Sequence, residues 1–176
     1  YAFWHKDGIG GESESVIGAW MKMRDNRKQI ILTTKVGAKP NRVGNGFEDA
    51  EGLSKIAIEL AINESLKRLQ TDYIDLLYAH IDDKKTDLVE TLSTFHKLIT
   101  TGKVRAIGCS NYTFERLMEA NKICQYEQFE KYCCIQERYS YFQPKENADF
   151  GVQEPASKEL LEYCRVKKDV TLLAFS

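Results

Sequence analysis

The chain has 176 residues, 43% of them hydrophobic, with 25 Lys and Arg against 26 Asp and Glu and a formal net charge of −1. Its apolar content excludes a disordered chain, and basic residues spread along the sequence give no footprint for nucleic acid. No apolar run approaches the ~20 residues of a membrane span, so no membrane partner is expected either.

Ahead of the first strand, "ESESVIGAWMKM" predicts a helix with Ser13 as its cap and Val16, Ile17 and Trp20 on one face. "QIILTTKV" (Gln29 to Val36) is too short and β-branched for a helix and reads as a buried strand. Ser54 can cap the next helix, in which Ile58, Ile62, Leu66 and Leu69 form one apolar stripe. "YIDLLYAHI" is a strand, Leu88, Leu92, Phe95 and Leu98 mark a helix, and Gly102 terminates it. "VRAIGCSN", Phe114 to Cys124, "YCCIQERYS", Ser157 to Arg165 and "VTLLAFS" continue the alternation as strand, helix, strand, helix and strand.

Strict alternation implies parallel strands with crossover helices, either an open doubly wound sheet or a closed eight-stranded barrel. No linker or repeat divides the chain, which reads as a single domain over residues 1–176. It starts at Tyr1 without Met and stops at Ser176 directly after a strand-like run, so both ends read as cut. Five cysteines lack C-x-x-C spacing, and an odd number cannot all pair within the chain. They read as reduced core residues of a cytoplasmic protein with no metal site. Two connections, residues 37–52 and 141–156, are long and rich in Gly, Asn and charge, as functional or mobile loops are.

Each strand ends in a polar side chain: Lys35, His80, Ser110 with Asn111, Gln136, and Ser176. In parallel α/β folds the C-terminal strand ends share one face, so these groups would surround a common mouth. Taken singly they have ordinary accounts; Ser110 and Asn111, for example, could simply cap the following helix. No G-x-G-x-x-G opens a βα unit, which argues against a Rossmann dehydrogenase.

The segments "GESESVIGAW", "ILTTKVG", "ESLKRLQTDYIDLLYAH", "GKVRAIGCSNY" and "LLAFS", in that order and spacing, resemble the aldo-keto reductases along essentially the whole chain. The resemblance implies a (β/α)8 TIM barrel, incomplete here for want of the first strands and the last βα unit. It also implies a nicotinamide cofactor across the C-terminal mouth, NADPH by family preference with NADH as the alternative, and a small-molecule aldehyde or ketone as substrate. The family's catalytic set is an Asp, a Tyr, a Lys and a His. Lys35 matches the lysine, His80 the histidine and Tyr1 the tyrosine, with the aspartate falling ahead of Tyr1. Ser110, Asn111 and Gln136 match the residues that hold the nicotinamide carboxamide, Phe175 the aromatic stacked on its ring, and Ser176 a serine near the pyrophosphate. Phe3 and Trp4, beside Tyr1, would wall an apolar substrate pocket.

The chemistry suits these types. Hydride addition to a carbonyl leaves an alkoxide that needs a proton, and a phenol of pKa ~10 gives it up readily only when a nearby cation favours the ionised form. Two other classes stay open at this point: a cofactor-loaded regulatory module of the kind seen in channel-associated β subunits, and an inactive truncated barrel.

Overall fold

The structure is a computed structural model and describes residues 10–42, 45–142, 145 and 148–176. Helices and strands alternate: α1 (Glu12–Arg24), β1 (Thr33–Val36), α2 (Lys55–Leu69), β2 (Ile74–Ala79), α3 (Leu88–Thr100), β3 (Val104–Ser110), α4 (Phe114–Glu127), β4 (Cys134–Arg138), α5 (Lys158–Val166) and β5 (Thr171–Phe175). All neighbouring strands pair in parallel, in the order β1-β2-β3-β4-β5. A doubly wound sheet reverses its strand order at a switch point. This one does not; each strand is added on the same side of the last, as in an arc of a barrel.

Local chemistry sets the helix starts. Ser54, Thr113 and Ser157 each accept a backbone N–H three residues on, at 3.3, 3.2 and 3.1 Å, and Asp87 accepts that of Val89. On α2, Ile58, Ile62 and Leu69 are buried, and on α3 so are Leu88, Leu92, Phe95 and Leu98. These stripes pack on the outward sheet face, where Val36, Leu77, Ala79, Ile107, Cys109 and Ile135 alternate with inward residues. At the N-terminal end of the sheet, Asp75 bridges Arg27 and Arg105, both at 2.8 Å, and both guanidiniums stack on Tyr73.

Four expectations change. Ser13 does not cap α1: Gly11 occupies the cap position, and no side chain accepts a capping hydrogen bond there. Nor do Val16, Ile17 and Trp20 form its buried face, being 68, 36 and 41% exposed. α1 instead packs on α2 through Gly18 and Met21, because only a glycine lets the two backbones come so close. β1 is shorter than "QIILTTKV" suggests: residues 27–29 form a 3-10 turn, and the Leu32 N–H goes to the Asp75 side chain (2.9 Å) rather than into the ladder. Connection 37–52 is also less open than its composition implies. Its two arms are laced by bonds from Asn41 N to Asp49 O, Glu51 N to Lys39 O and Gly52 N to Gly37 O.

Candidate functional site

On the inward face the register sets Lys35 beside Tyr78, Tyr78 beside Gly108 and Gly108 beside Cys134. One register step nearer the strand ends, Ser110 stands beside Gln136 and Gln136 beside Leu173. His80 follows β2 directly, its N–H bonded to Val36 O at 2.9 Å. The sequence-predicted residues of four strands therefore reach one face.

The lower of these two rows explains a glycine. A Cβ on Gly108 would lie 2.6 Å from Tyr78 Cε1 and 2.9 Å from the Cys134 carbonyl oxygen. The missing side chain lets the Tyr78 ring lie across β3 with its hydroxyl end beside Cys134, and burial raises the phenol pKa further. The Lys35 ammonium sits over the near side of that ring, 5.5 Å from its centroid. The contact is a cation–π pairing with the ring face.

Burial lowers the Lys35 pKa from the ordinary lysine range. Burial, and then the Lys35 charge, push the His80 imidazole down to about 3, so it is neutral throughout the physiological range. A cavity of about 360 Å³ opens beside both residues and is closed by Gly11, Ser13, Glu14 and Ile17 of the α1 end. Glu14 is pinned there by Thr34 (2.5 Å) and Arg68 (2.7 Å).

Ser110 and Asn111 do not cap α4; Thr113 does. The Ser110 hydroxyl donates to Gln136 O at 2.7 Å. Asn111 takes a left-handed backbone (φ 59°), which asparagine tolerates better than most residues. Its amide nitrogen donates to His80 O (2.9 Å) and Ser110 Oγ (3.2 Å), and its amide oxygen accepts Glu154 N (3.2 Å). One side chain thus ties the ends of β2 and β3 to connection 141–156. By contrast the half-buried Gln136 side-chain amide makes no hydrogen bond among the described residues. Phe175 ends β5 in register with Arg138, and Ser176 follows it, exposed. Tyr1, Phe3 and Trp4 lie outside the described residues.

Sequence reading passed over Glu137, which looks like a solvated strand residue beside Gln136. It is 0% exposed, on the helix-facing side with Ile135. Period two was the signal that could have found it. One carboxyl oxygen accepts the Tyr112 N–H at 3.0 Å, and the other is buried with no hydrogen-bond partner.

Comparison with known proteins gives concordant results. Residues 9–176 match the Aldo/keto reductase family. An aryl-alcohol dehydrogenase of Pestalotiopsis microspora is 34% identical over 133 residues, 74% of this chain and 34% of that protein. A norsolorinic acid reductase of Emericella nidulans is 31% identical over 136 residues, again 74% and 34% of the two chains. Among solved structures, an aldo/keto reductase from Klebsiella pneumoniae in complex with NADP and acetate superposes with a TM-score of 0.68 at 25% identity, over 94% of this chain and 48% of that one. A thermostable aldo-keto reductase in complex with the inhibitor epalrestat gives a TM-score of 0.73 at 30% identity, over 95% and 51%. The chain spans about a third of the length of these two curated relatives and about half of each solved chain. Those solved chains are (β/α)8 barrels, so the five-stranded parallel sheet is part of such a barrel. No described helix is long and apolar enough to cross a membrane.

Proposed function

The chain belongs to the aldo/keto reductase family, and we propose that it serves an NADPH-dependent oxidoreductase that reduces aldehydes or ketones to alcohols. The observation that carries this reading is the gathering of Lys35, His80, Ser110 and Gln136 on the inward face at the strand ends, with the lysine pKa lowered and the histidine neutral. Relatives named as an aryl-alcohol dehydrogenase and a norsolorinic acid reductase support aromatic carbonyls as the substrate class, and the NADP-bound relative supports the cofactor.

The residues fit a nicotinamide amide. That group needs both donors and acceptors without charge. Gln136 offers an unengaged amide, and Ser110, its proton committed to Gln136 O and one lone pair to the Asn111 amide, offers its remaining oxygen lone pair. Phe175 at the end of β5 would pack on the ring, and Ser176 would lie toward the phosphates. When bound, the nicotinamide supplies the hydride. The neutral His80 imidazole would donate a hydrogen bond to the substrate oxygen and orient it. The Lys35 ammonium would lower the pKa of the proton-donating phenol, which the family motif assigns to Tyr1. Phe3 and Trp4 would wall the substrate pocket.

The test uses the full-length protein with NADPH and a panel of aryl aldehydes and ketones. Lys35→Met should lower kcat by ~100-fold or more and leave the NADPH Kd within ~3-fold, because the charge acts on the phenol rather than on the nucleotide. Equal losses in both quantities would remove that role from Lys35. Cofactor binding with no turnover across the whole panel would overturn the reductase reading.

A further inference from the structure

We propose that Glu137 is a positioning residue whose carboxyl clamps the backbone behind Ser110 and Asn111, fixing the shape of the subsite for the nicotinamide amide. The proposal rests on the cofactor reading above.

The clamp falls beside one of four left-handed non-glycine residues among those described. Asn111 is left-handed, and the next N–H, that of Tyr112, is the one held by Glu137 at 3.0 Å. Asparagine visits this region readily, and its surroundings can fix it there. Here the Glu137 bond on one side and three side-chain bonds on the other, to His80 O, Ser110 Oγ and Glu154 N, do so. Loosening the Tyr112 peptide would release Asn111, and with it the carbonyl of His80 and the hydroxyl of Ser110.

Packing alone does not account for this residue. Glu137 is fully buried with its second oxygen unpartnered, a position that packing alone would fill better with an apolar side chain. The groups facing it from neighbouring elements are Glu154, in the segment paired with the end of β4, and the Cys109 thiol on β3. Glu154 in turn feels Lys84 and Glu115, and Cys109 feels Asp82 and Cys164. Burial first, and the Glu154 charge with it, raise the Glu137 carboxyl to about 8. At neutral pH it is an uncharged acid. Above pH 8 it becomes an anion; the Tyr112 N–H favours that form, but burial outweighs it and the anion faces Glu154, whose backbone N–H holds Asn111, so ionisation favours a loosened arrangement of the network.

The experiment measures NADP+ dissociation constants by protein fluorescence between pH 7 and 9.5 for full-length wild type, Glu137→Gln and Glu137→Leu, with urea melts alongside. Wild type should bind several-fold more weakly at pH 9.5 than at pH 7. Glu137→Gln, an uncharged isostere, should match wild type at pH 7 and stay flat to pH 9.5. Glu137→Leu should bind about tenfold more weakly at pH 7 while its urea midpoint is unchanged or higher, an outcome that a merely structural role does not give. Equal binding by all three proteins, or the same pH profile in wild type and Glu137→Gln, overturns the proposal and leaves the cofactor reading intact. Absence of NADP+ binding by wild type overturns both. Should Glu137→Leu fail to fold, the two pH profiles decide alone.

Discussion

Gly18 offers a severe test of how α1 is held. A Cβ placed on it would lie 2.3 Å from the Arg68 carbonyl oxygen and 2.8 Å from the Leu69 Cα and carbonyl carbon. All three are backbone atoms at the end of α2 and cannot swing aside. Gly18→Ala must therefore push α1 outward by roughly 1 Å, at an overpacking cost of ~1–3 kcal/mol. The same gap would strip Met21, 3% exposed, of part of its packing. A gap of that size forfeits a quarter to a half of a contact's well depth, so of the ~1.5–3 kcal/mol that burial of such a side chain supplies, about 0.5–1.5 kcal/mol would go. Against this, Ala in place of Gly inside a helix returns about 1 kcal/mol. The loss wins, and the net destabilisation should be about 1–3 kcal/mol. Urea unfolding of the full-length protein reads it as a lower midpoint at unchanged m-value. Ala19→Gly, at the neighbouring exposed position, calibrates the propensity term alone and should cost about 1 kcal/mol. A Gly18→Ala protein more stable than wild type would refute the helix contact.

Gly108→Ala places a methyl group 2.6 Å from the Tyr78 ring and should cost about 1–3 kcal/mol; adding Tyr78→Ala should recover only part, since the Cys134 carbonyl stays 2.9 Å away. A full recovery in urea melts would show that the strand backbone yields freely. His80 and Glu137 pull the pH dependence of stability in opposite directions. His80, depressed to about 3, resists a proton that the unfolded chain takes up below its ordinary 6.5, so its contribution is lost as pH falls from 6.5 toward 3. Glu137, raised to about 8, keeps a proton that the unfolded chain releases above 4.5, so its contribution is lost as pH rises through 8. Between pH 4.5 and 6.5 the two slopes cancel, each about 1.4 kcal/mol per pH unit. His80→Gln should therefore tilt the profile downward with rising pH and Glu137→Gln should tilt it upward; parallel profiles in urea melts would contradict both assignments.

Where side chains do the packing, the fold was legible in the sequence. The stripes Ile58, Ile62, Leu66, Leu69 and Leu88, Leu92, Phe95, Leu98 face the core as their periods require, all buried but Leu66, which is half-buried. α1 was misread because its contact is made by Gly18, which no apolar period registers, and its exposed Val16 and Trp20 drew the face the wrong way. The site was legible as a set of strand-end polar residues, but not as a network. That Thr113 caps α4, freeing Ser110 and Asn111, depends on a left-handed turn at Asn111 that composition does not announce. Glu137 was hidden by its charge, which argues for solvent in a linear reading, while alternation with Ile135 puts it inside. The lacing of connection 37–52 is made by backbone bonds between arms, which residue type does not reveal.

The Asn111 amide has a consequence for anyone who would re-engineer connection 141–156. Its oxygen is held by the Glu154 N–H and its nitrogen by the His80 carbonyl, so connection 141–156 and the end of β2 hang on the same side chain. Transplanting connection 141–156 from another protein would not be a modular exchange. A graft that shifts the residue-154 amide by even one ångström would unseat the asparagine. Loop libraries should therefore hold residues 153–156 constant and diversify upstream of them, where changes can stay decoupled from the strand ends.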